Sequence, residues 1–446
     1  MGFEKKFVKT QLALSVSIAT AVFGSSIARG QDEPGIIHRE DRLESIVVTA
    51  PFQKSEAQTA LPIGILSGEA LREKAANSLG ATLMNEIGVA NASFGTGVGQ
   101  PIIRGQTGNR VSILQNGISL TDASNVSPDH VNGTEALLAD RIEVIRGPST
   151  LLYGSGAVGG VVNVIDNRIP SQLPDRPNFQ VEQSHNGVND ENRTVMRLDA
   201  AVGNFGFHLD AFTRENNNVE VRGFAIDEAA VEEIEELAEA LTGGHDDDHG
   251  DEHGDEHGDE HGDDDFENTN GFIGNSDGQG EGFTIGGSYV GDSGFFGFSV
   301  AEIENEYGLP PGSHSHAHGE EEHGDDDHGD DDHDDHEEEE VEFVRIGMDQ
   351  TRYDFKGEYS FTNSFIESVK ASVGYTDYQH REIEIFEDGG AEIGTLFSNE
   401  GTEARFEFKR AATGNWEGVW GLQLSDTEFS AIGEEAFTPR SDISSV

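Results

Sequence analysis

Cysteine is absent from the 446 residues, which excludes disulfides and thiolate metal sites. Positive charge is scarce: 28 Lys and Arg stand against 85 Asp and Glu, a net charge of −57. That balance argues against nucleic acid as a partner and favours cations. Long apolar runs are also missing. The longest, Leu12 to Phe23, falls short of the ~20 residues of a membrane-spanning helix. Any crossing of a bilayer therefore falls to β-strands. No nucleophile is paired with a base in any motif, so no catalytic residue and no enzymatic activity is expected.

The chain opens on Lys5, Lys6 and Lys9, then the short apolar run, then Ser26-Ile27-Ala28. This is the pattern of a Sec-type secretory signal peptide over residues 1–28. Residues 29–50 read as a flexible lead. It ends in Glu44, Ser45, Ile46, Val47, Val48, Thr49 and Ala50, ahead of Pro51. Taken alone, this segment is an edge strand. Its position suits pairing with a periplasmic partner by strand addition.

Residues 51–168 read as a mixed α/β unit. Ser67 is placed to cap a helix, and 79–87 continues helically. Strands are expected around Pro101–Gly105 and Arg110–Ile118, joined by glycine-rich turns. The unit closes on RIEVIRGPSTLLYGSGAVGGVVNVID, Arg141 to Asp166, where two β-prone runs flank a glycine-rich connector.

From residue 177 the texture becomes alternation. Ala404, Phe406 and Phe408 interleave with Glu403, Arg405, Glu407 and Lys409. Strands are expected at 177–186, 192–202, 205–217, 279–291, 294–307, 342–360, 364–383, 395–412 and 415–430. Short turns follow the second, fourth, sixth and eighth, and long connections, 218–278 and 308–341, follow the third and fifth. Apolar-out alternation with short turns at one end and long loops at the other is the signature of a transmembrane antiparallel β-barrel. The parity places both long loops on the outer face. Nine strands is odd where such barrels are even-numbered, and Ser444-Ser445-Val446 carries no terminal aromatic. Residues 177–446 are thus expected to be the N-terminal part of a barrel in a C-terminally truncated chain.

The long loops hold the histidines. Residues 245–265 contain His245, His249, His253, His257 and His261 among twelve carboxylates. Residues 314–340 contain seven histidines, beginning His314, His316 and His318, among fifteen carboxylates. Carboxylates alone suit Ca²⁺ or Mg²⁺; added imidazole suits Zn²⁺, Ni²⁺ or Cu²⁺. Many weak sites raise local metal concentration, so the loops read as an antenna for divalent metal. A tight site needs ligands on a rigid frame. Asp129-His130, within Ser127-Pro128-Asp129-His130, is the candidate in the 51–168 unit, against the alternative of a turn Asp beside a surface His. His208 and His380 alternate within strands and read as ordinary lumen or interface histidines.

Three motifs in order, PIIRGQ, RVSILQNGISLTD and IRGPSTLLYGSGAVGGVVN, resemble the plug domain of TonB-dependent outer-membrane receptors, and Glu44–Ala50 resembles their Ton box. SPDH followed by ALLADRIEVIRGPSTLLYGSGAVGG resembles the zinc-uptake branch of that family, as does NEYGLPPGSHSH at Asn305 to His316. The resemblance implies a mixed α/β plug domain inside a transmembrane β-barrel in the outer membrane. It implies zinc as the transported ligand, held by Asp129 and His130 with His314 and His316 as plausible barrel partners. It also implies TonB and its inner-membrane energising complex as partners at 44–50. Nickel, copper, haem or a siderophore stays open as cargo, and so does a surface protein that sequesters metal without transport.

Overall fold

In the computed structural model the described residues are 46–47, 54–55 and 63–445, apart from 128, 148–149, 151–152, 154–155, 232–233, 235–267, 311–340, 387–388, 414–415 and 434–439. The chain divides into residues 1–44 and 45–446; the first unit, with the signal-peptide assignment, lies outside the described residues. So do Glu44, Ser45, Val48, Thr49 and Ala50. Ile46–Val47 (β1) pairs antiparallel with Lys54–Ser55 (β2).

The plug segment follows. Ile63–Ser67 (β3) leads into the helix Gly68–Lys74 (α1), and Leu79–Leu83 forms a second short helix (α2). The strands Val89–Phe94 (β4) and Val98–Ile103 (β5) make a separate ribbon. Val111–Gln115 (β6), Ile118–Ser119 (β7), Arg141–Ile145 (β8) and Gly160–Ile165 (β9) join β3 in a five-stranded sheet of order β3-β8-β9-β6-β7. Its one parallel pair is β6 with β9. The apolar runs seen in the sequence explain this sheet. β9 is buried along its whole length, and Leu66, Leu83, Ile103, Ile142, Val162 and Val164 form its core. Two local expectations change. Ser67 precedes α1 but makes no side-chain capping bond. The second helix stops at Leu83, capped by Ser78, whose hydroxyl accepts from the Ala81 N–H.

Beyond the plug, ten strands form one antiparallel sheet: Asn178–Asn186 (β10), Glu191–Val202 (β11), Phe205–Asn216 (β12), Gly278–Gly291 (β15), Gly294–Gly308 (β16), Val341–Ser360 (β17), Ile366–Phe386 (β18), Ala391–Thr413 (β19), Trp416–Gly433 (β20) and Ser441–Ser445 (β21). Glu220–Phe224 (β13) and Asn270–Phe272 (β14) form a small ribbon within the first long connection. The nine expected strands are present, and Ser441–Ser445, read as a polar ending, adds a tenth by pairing with β20. Among the described residues the edge strands β10 and β21 do not pair with each other.

The polarity of this sheet is inverted relative to a soluble protein. Phe207, Leu209, Ile285, Phe298, Phe355 and Leu422 point outward and are exposed, while His208, Asp210, Arg352, His380 and Glu382 point inward and are buried. Exposed apolar side chains alternating with buried charge is the arrangement of a barrel wall facing lipid. Aromatic rings line the short-turn end of the outer face, with Phe205, Tyr289 and Phe296 in sequence at 5.4 and 5.8 Å between centroids.

The plug lies against the inner face. Arg197 donates to Asp140 at 2.5 Å, and Arg214 pairs with Glu135 at 3.0 Å. Arg168 pairs with Asp166 at 2.8 Å and reaches Asp354 at 3.6 Å. At Gly286 a Cβ would sit 1.7 Å from the Arg168 carbonyl oxygen. The residue must be glycine for the segment after β9 to lie on the wall this closely.

Candidate metal centre

Residues 122–133 leave β7 and form the plug loop that carries Asp129 and His130. Asp122 closes its mouth: its carboxylate accepts from the Ser124 N–H at 3.1 Å, the Ser124 hydroxyl at 2.6 Å and the Gly133 N–H at 2.7 Å. Burial is the largest influence on this carboxyl and raises its pKa, against those hydrogen bonds. Inside the loop, the Gln100 amide from β5 donates to the carbonyls of Ser124, Ser127 and His130 at 2.7, 3.3 and 3.3 Å. The barrel grips the same loop from outside. Asn399 donates to the Asp122 carbonyl at 2.9 Å, Gln350 donates to the Gly133 carbonyl at 3.0 Å, and the Val131 N–H donates to the Tyr307 hydroxyl at 3.3 Å.

This grip presses His130 onto β18. His130 and His380 are 0% exposed and Glu382 is 3% exposed. His130 Nε2 lies 3.1 Å from Glu382 Oε1 and 4.0 Å from Asp129 Oδ1. The His380 ring is tilted over that of His130, with centroids 4.3 Å apart, and its Nε2 lies 3.8 Å from the same Glu382 oxygen. One donor atom each from His130, His380 and Glu382 fall within 4.8 Å of one another. Around an ion with ~2.1 Å bonds, tetrahedral ligands lie ~3.4 Å apart, a spacing inside this range. Two imidazoles and a carboxylate, with Asp129 adjoining, form an N/O donor set suited to a divalent transition metal.

Two features show that the residues fit a cation. His380 Nε2 is buried and has no hydrogen-bond partner among the described residues. A polar atom in that position is costly unless something satisfies it. His130 has its Nδ1 3.0 Å from the Ala123 carbonyl. A carbonyl only accepts, so Nδ1 carries a proton there and Nε2 is the atom turned toward Glu382. Burial opposes protonation of this ring. The Glu382 hydrogen bond, the Asp129 charge and the Ala123 carbonyl outweigh it and raise its pKa above the ordinary value of 6.5. Positive charge is thus favoured at the point where Nε2, Glu382 and Asp129 meet.

The sequence treated His208 and His380 alike, and the structure separates them. Both ring nitrogens of His208 are taken, by Asp199 and Asp210 at 2.7 Å each, which leaves no lone pair for an ion. His380 is the second imidazole of the cluster. The cluster thus adds two residues to Asp129-His130: His380, expected to be an ordinary lumen or interface histidine, and Glu382, which no motif singled out. Its signal was the inward alternation Tyr378, His380, Glu382 along β18. His245, His249, His253, His257, His261, His314, His316 and His318 lie outside the described residues.

The comparisons with known proteins agree with this architecture. Residues 55–161 match the TonB-dependent Receptor Plug Domain family. Among solved structures, the ferric enterobactin receptor of Pseudomonas aeruginosa is 16% identical, with a TM-score of 0.53 over 84% of this chain and 50% of that one. The copper transporter OprC is 13% identical, with a TM-score of 0.55 over 83% of this chain and 46% of that one. The alcaligin outer-membrane receptor FauA of Bordetella pertussis is 12% identical, with a TM-score of 0.52 over 90% and 53%. At these identities the likeness establishes the fold, and the chain spans about half the length of the structures it matches. A plug segment held against a wall of inward-polar, outward-apolar strands, with a plug-domain match over the former, identifies the chain as carrying a TonB-dependent receptor plug domain and a partial β-barrel in the fold of the TonB-dependent receptors.

Proposed function

We propose that this chain belongs to an outer-membrane receptor that takes up divalent zinc in a TonB-dependent manner. The observation that supports it most is the joint presentation, by the plug loop and the barrel wall, of His130, His380 and Glu382 at one buried point. Asp129 is the fourth donor. In this reading residues 245–265 and 314–340 gather metal from dilute solution by multivalency. The ion then passes to the buried site, where four N and O donors hold it without sulfur. TonB, energised from the inner membrane, engages 44–50 and draws the plug loop off β18. Because half of the ligands belong to each side, that movement divides the site and lowers its affinity, releasing the ion inward.

The enclosure of the site favours a bare ion over a bulky chelate. Phe397 closes one side, edge-on to His130 at 4.9 Å and to His380 at 5.5 Å between centroids. Titration of the protein with Zn²⁺, Ni²⁺, Cu²⁺ and haem, paired with radiolabelled zinc uptake by cells with and without residues 44–50, tests the reading. Tight Zn²⁺ binding and uptake that needs 44–50 are expected. Tight binding of haem alone, or uptake indifferent to 44–50, refutes it.

A further inference from the structure

Tyr378 lies two residues before His380 on the inward face of β18 and is fully buried. Its hydroxyl is 3.1 Å from His380 Nδ1. An imidazole binds an ion through an unprotonated nitrogen. When His380 Nε2 takes a cation, Nδ1 must carry the ring proton, and a buried N–H requires an acceptor. For His130 the Ala123 carbonyl meets that need. For His380 the Tyr378 hydroxyl oxygen stands in the corresponding place.

We propose that Tyr378 is a positioning residue for the cation site. It accepts the Nδ1–H of His380 and so holds Nε2 toward Glu382 and His130. The proposal rests on the reading of this cluster as a cation site. It also explains a burial that packing alone leaves unaccounted for: an apolar side chain would fill the same space among Met348, Ile346 and Phe397 without a hydroxyl to satisfy. Partners of this kind fix the orientation of a ligating imidazole, and losing one costs about 10- to 100-fold in metal affinity.

The test is Zn²⁺ affinity of the full chain in detergent for wild type, Y378F, H380A, E382Q and Y378F/H380A. Phenylalanine keeps the ring and its packing. Y378F is expected to bind zinc about 10- to 100-fold more weakly. In the H380A background the same substitution is expected to change nothing further, because the hydroxyl acts only through His380. Equal losses in both backgrounds would mark a general structural role and overturn the proposal, as would wild-type affinity in Y378F when H380A and E382Q are impaired. If H380A and E382Q also bind as the wild type does, the cation site itself is refuted, and this proposal with it.

Discussion

Replacing Glu382 by glutamine probes the site most directly. The change keeps the shape of the side chain and removes its charge. In the structure that carboxylate faces both the plug and the barrel imidazole, 3.1 Å from His130 Nε2 and 3.8 Å from His380 Nε2. Four-ligand zinc sites bind with about 10–16 kcal/mol, or about 2.5–4 kcal/mol for each ligand. At about 1.4 kcal/mol per decade, losing one ligand weakens binding by about 100- to 1000-fold. Glutamine retains a carbonyl oxygen, which places the expected loss near the lower figure. Competition against a chromophoric zinc chelator measures it in purified protein. E384Q is the matched control: Glu384 is buried on the same strand face, two residues farther along, and lies outside the cluster. The reasoning fails if E382Q binds within about threefold of wild type, or if E384Q is the more damaging change.

Further outcomes can be measured. The raised pKa of His130 makes protons compete with the ion, so calorimetry should show zinc affinity falling as pH drops, beginning above pH 6.5; a flat profile from pH 8 to 5.5 refutes this. The same shift has the opposite sign for the ion-free protein: the protonated His130–Glu382 pair stabilises plug docking fully below the unfolded-state value of about 6.5 and loses that contribution as pH rises through the folded value. G286A should destabilise the docked plug by about 1–3 kcal/mol, because its methyl meets the Arg168 carbonyl, whereas G287A, whose nearest neighbour is 3.4 Å away, should melt as wild type does; equal melting of the two refutes the close approach. Deleting 245–265 should reduce zinc capture at low metal and leave one tight site in a binding titration, and loss of all tight binding refutes the division between antenna and site.

The barrel strands were legible because their signal is strictly local. A period of two with phenylalanine on one face, as in Phe207-x-Leu209 or Phe296-x-Phe298, fixes both strand and orientation, and each short turn sets the next register. The Asp129-His130 pair drew attention to the loop that packs His130 against Glu382 of β18. The remaining half of the site was not legible. His380 and Glu382 lie about 250 residues away from His130 in sequence, and what joins them is a strand register, Met348 opposite His380 and Ile346 opposite Glu382, together with the depth at which the plug sits. His208 shows the same limit from the other side. Like His380 it is an inward histidine on an alternating strand, and only the positions of Asp199 and Asp210 show that its nitrogens are occupied. Ser67, a good cap by residue type, makes no side-chain capping bond, and the chain enters α1 directly from β3.

In the proposed function, the division of ligands between plug and barrel bears on how one site could bind tightly and still let go. A cage built wholly within the plug would travel with it, and pulling the plug would move the ion without weakening its hold. Here the loop is fixed to the wall by hydrogen bonds donated by Asn399 and Gln350 and one accepted by the Tyr307 hydroxyl, and to the plug by three donated by Gln100. A pull transmitted through β5 reaches the loop through Gln100, while the wall resists at the loop's two ends. Each of the three wall contacts contributes about 0.5–1.5 kcal/mol, so together they are comparable to one metal ligand and can yield without the plug core unfolding. Once they broke, the proposed mechanism would carry Asp129 and His130 away with the loop and leave His380 and Glu382 on β18. Two ligands on each side then hold the ion far less tightly than four. The same contacts that preorganise the site are therefore the ones whose rupture would empty it.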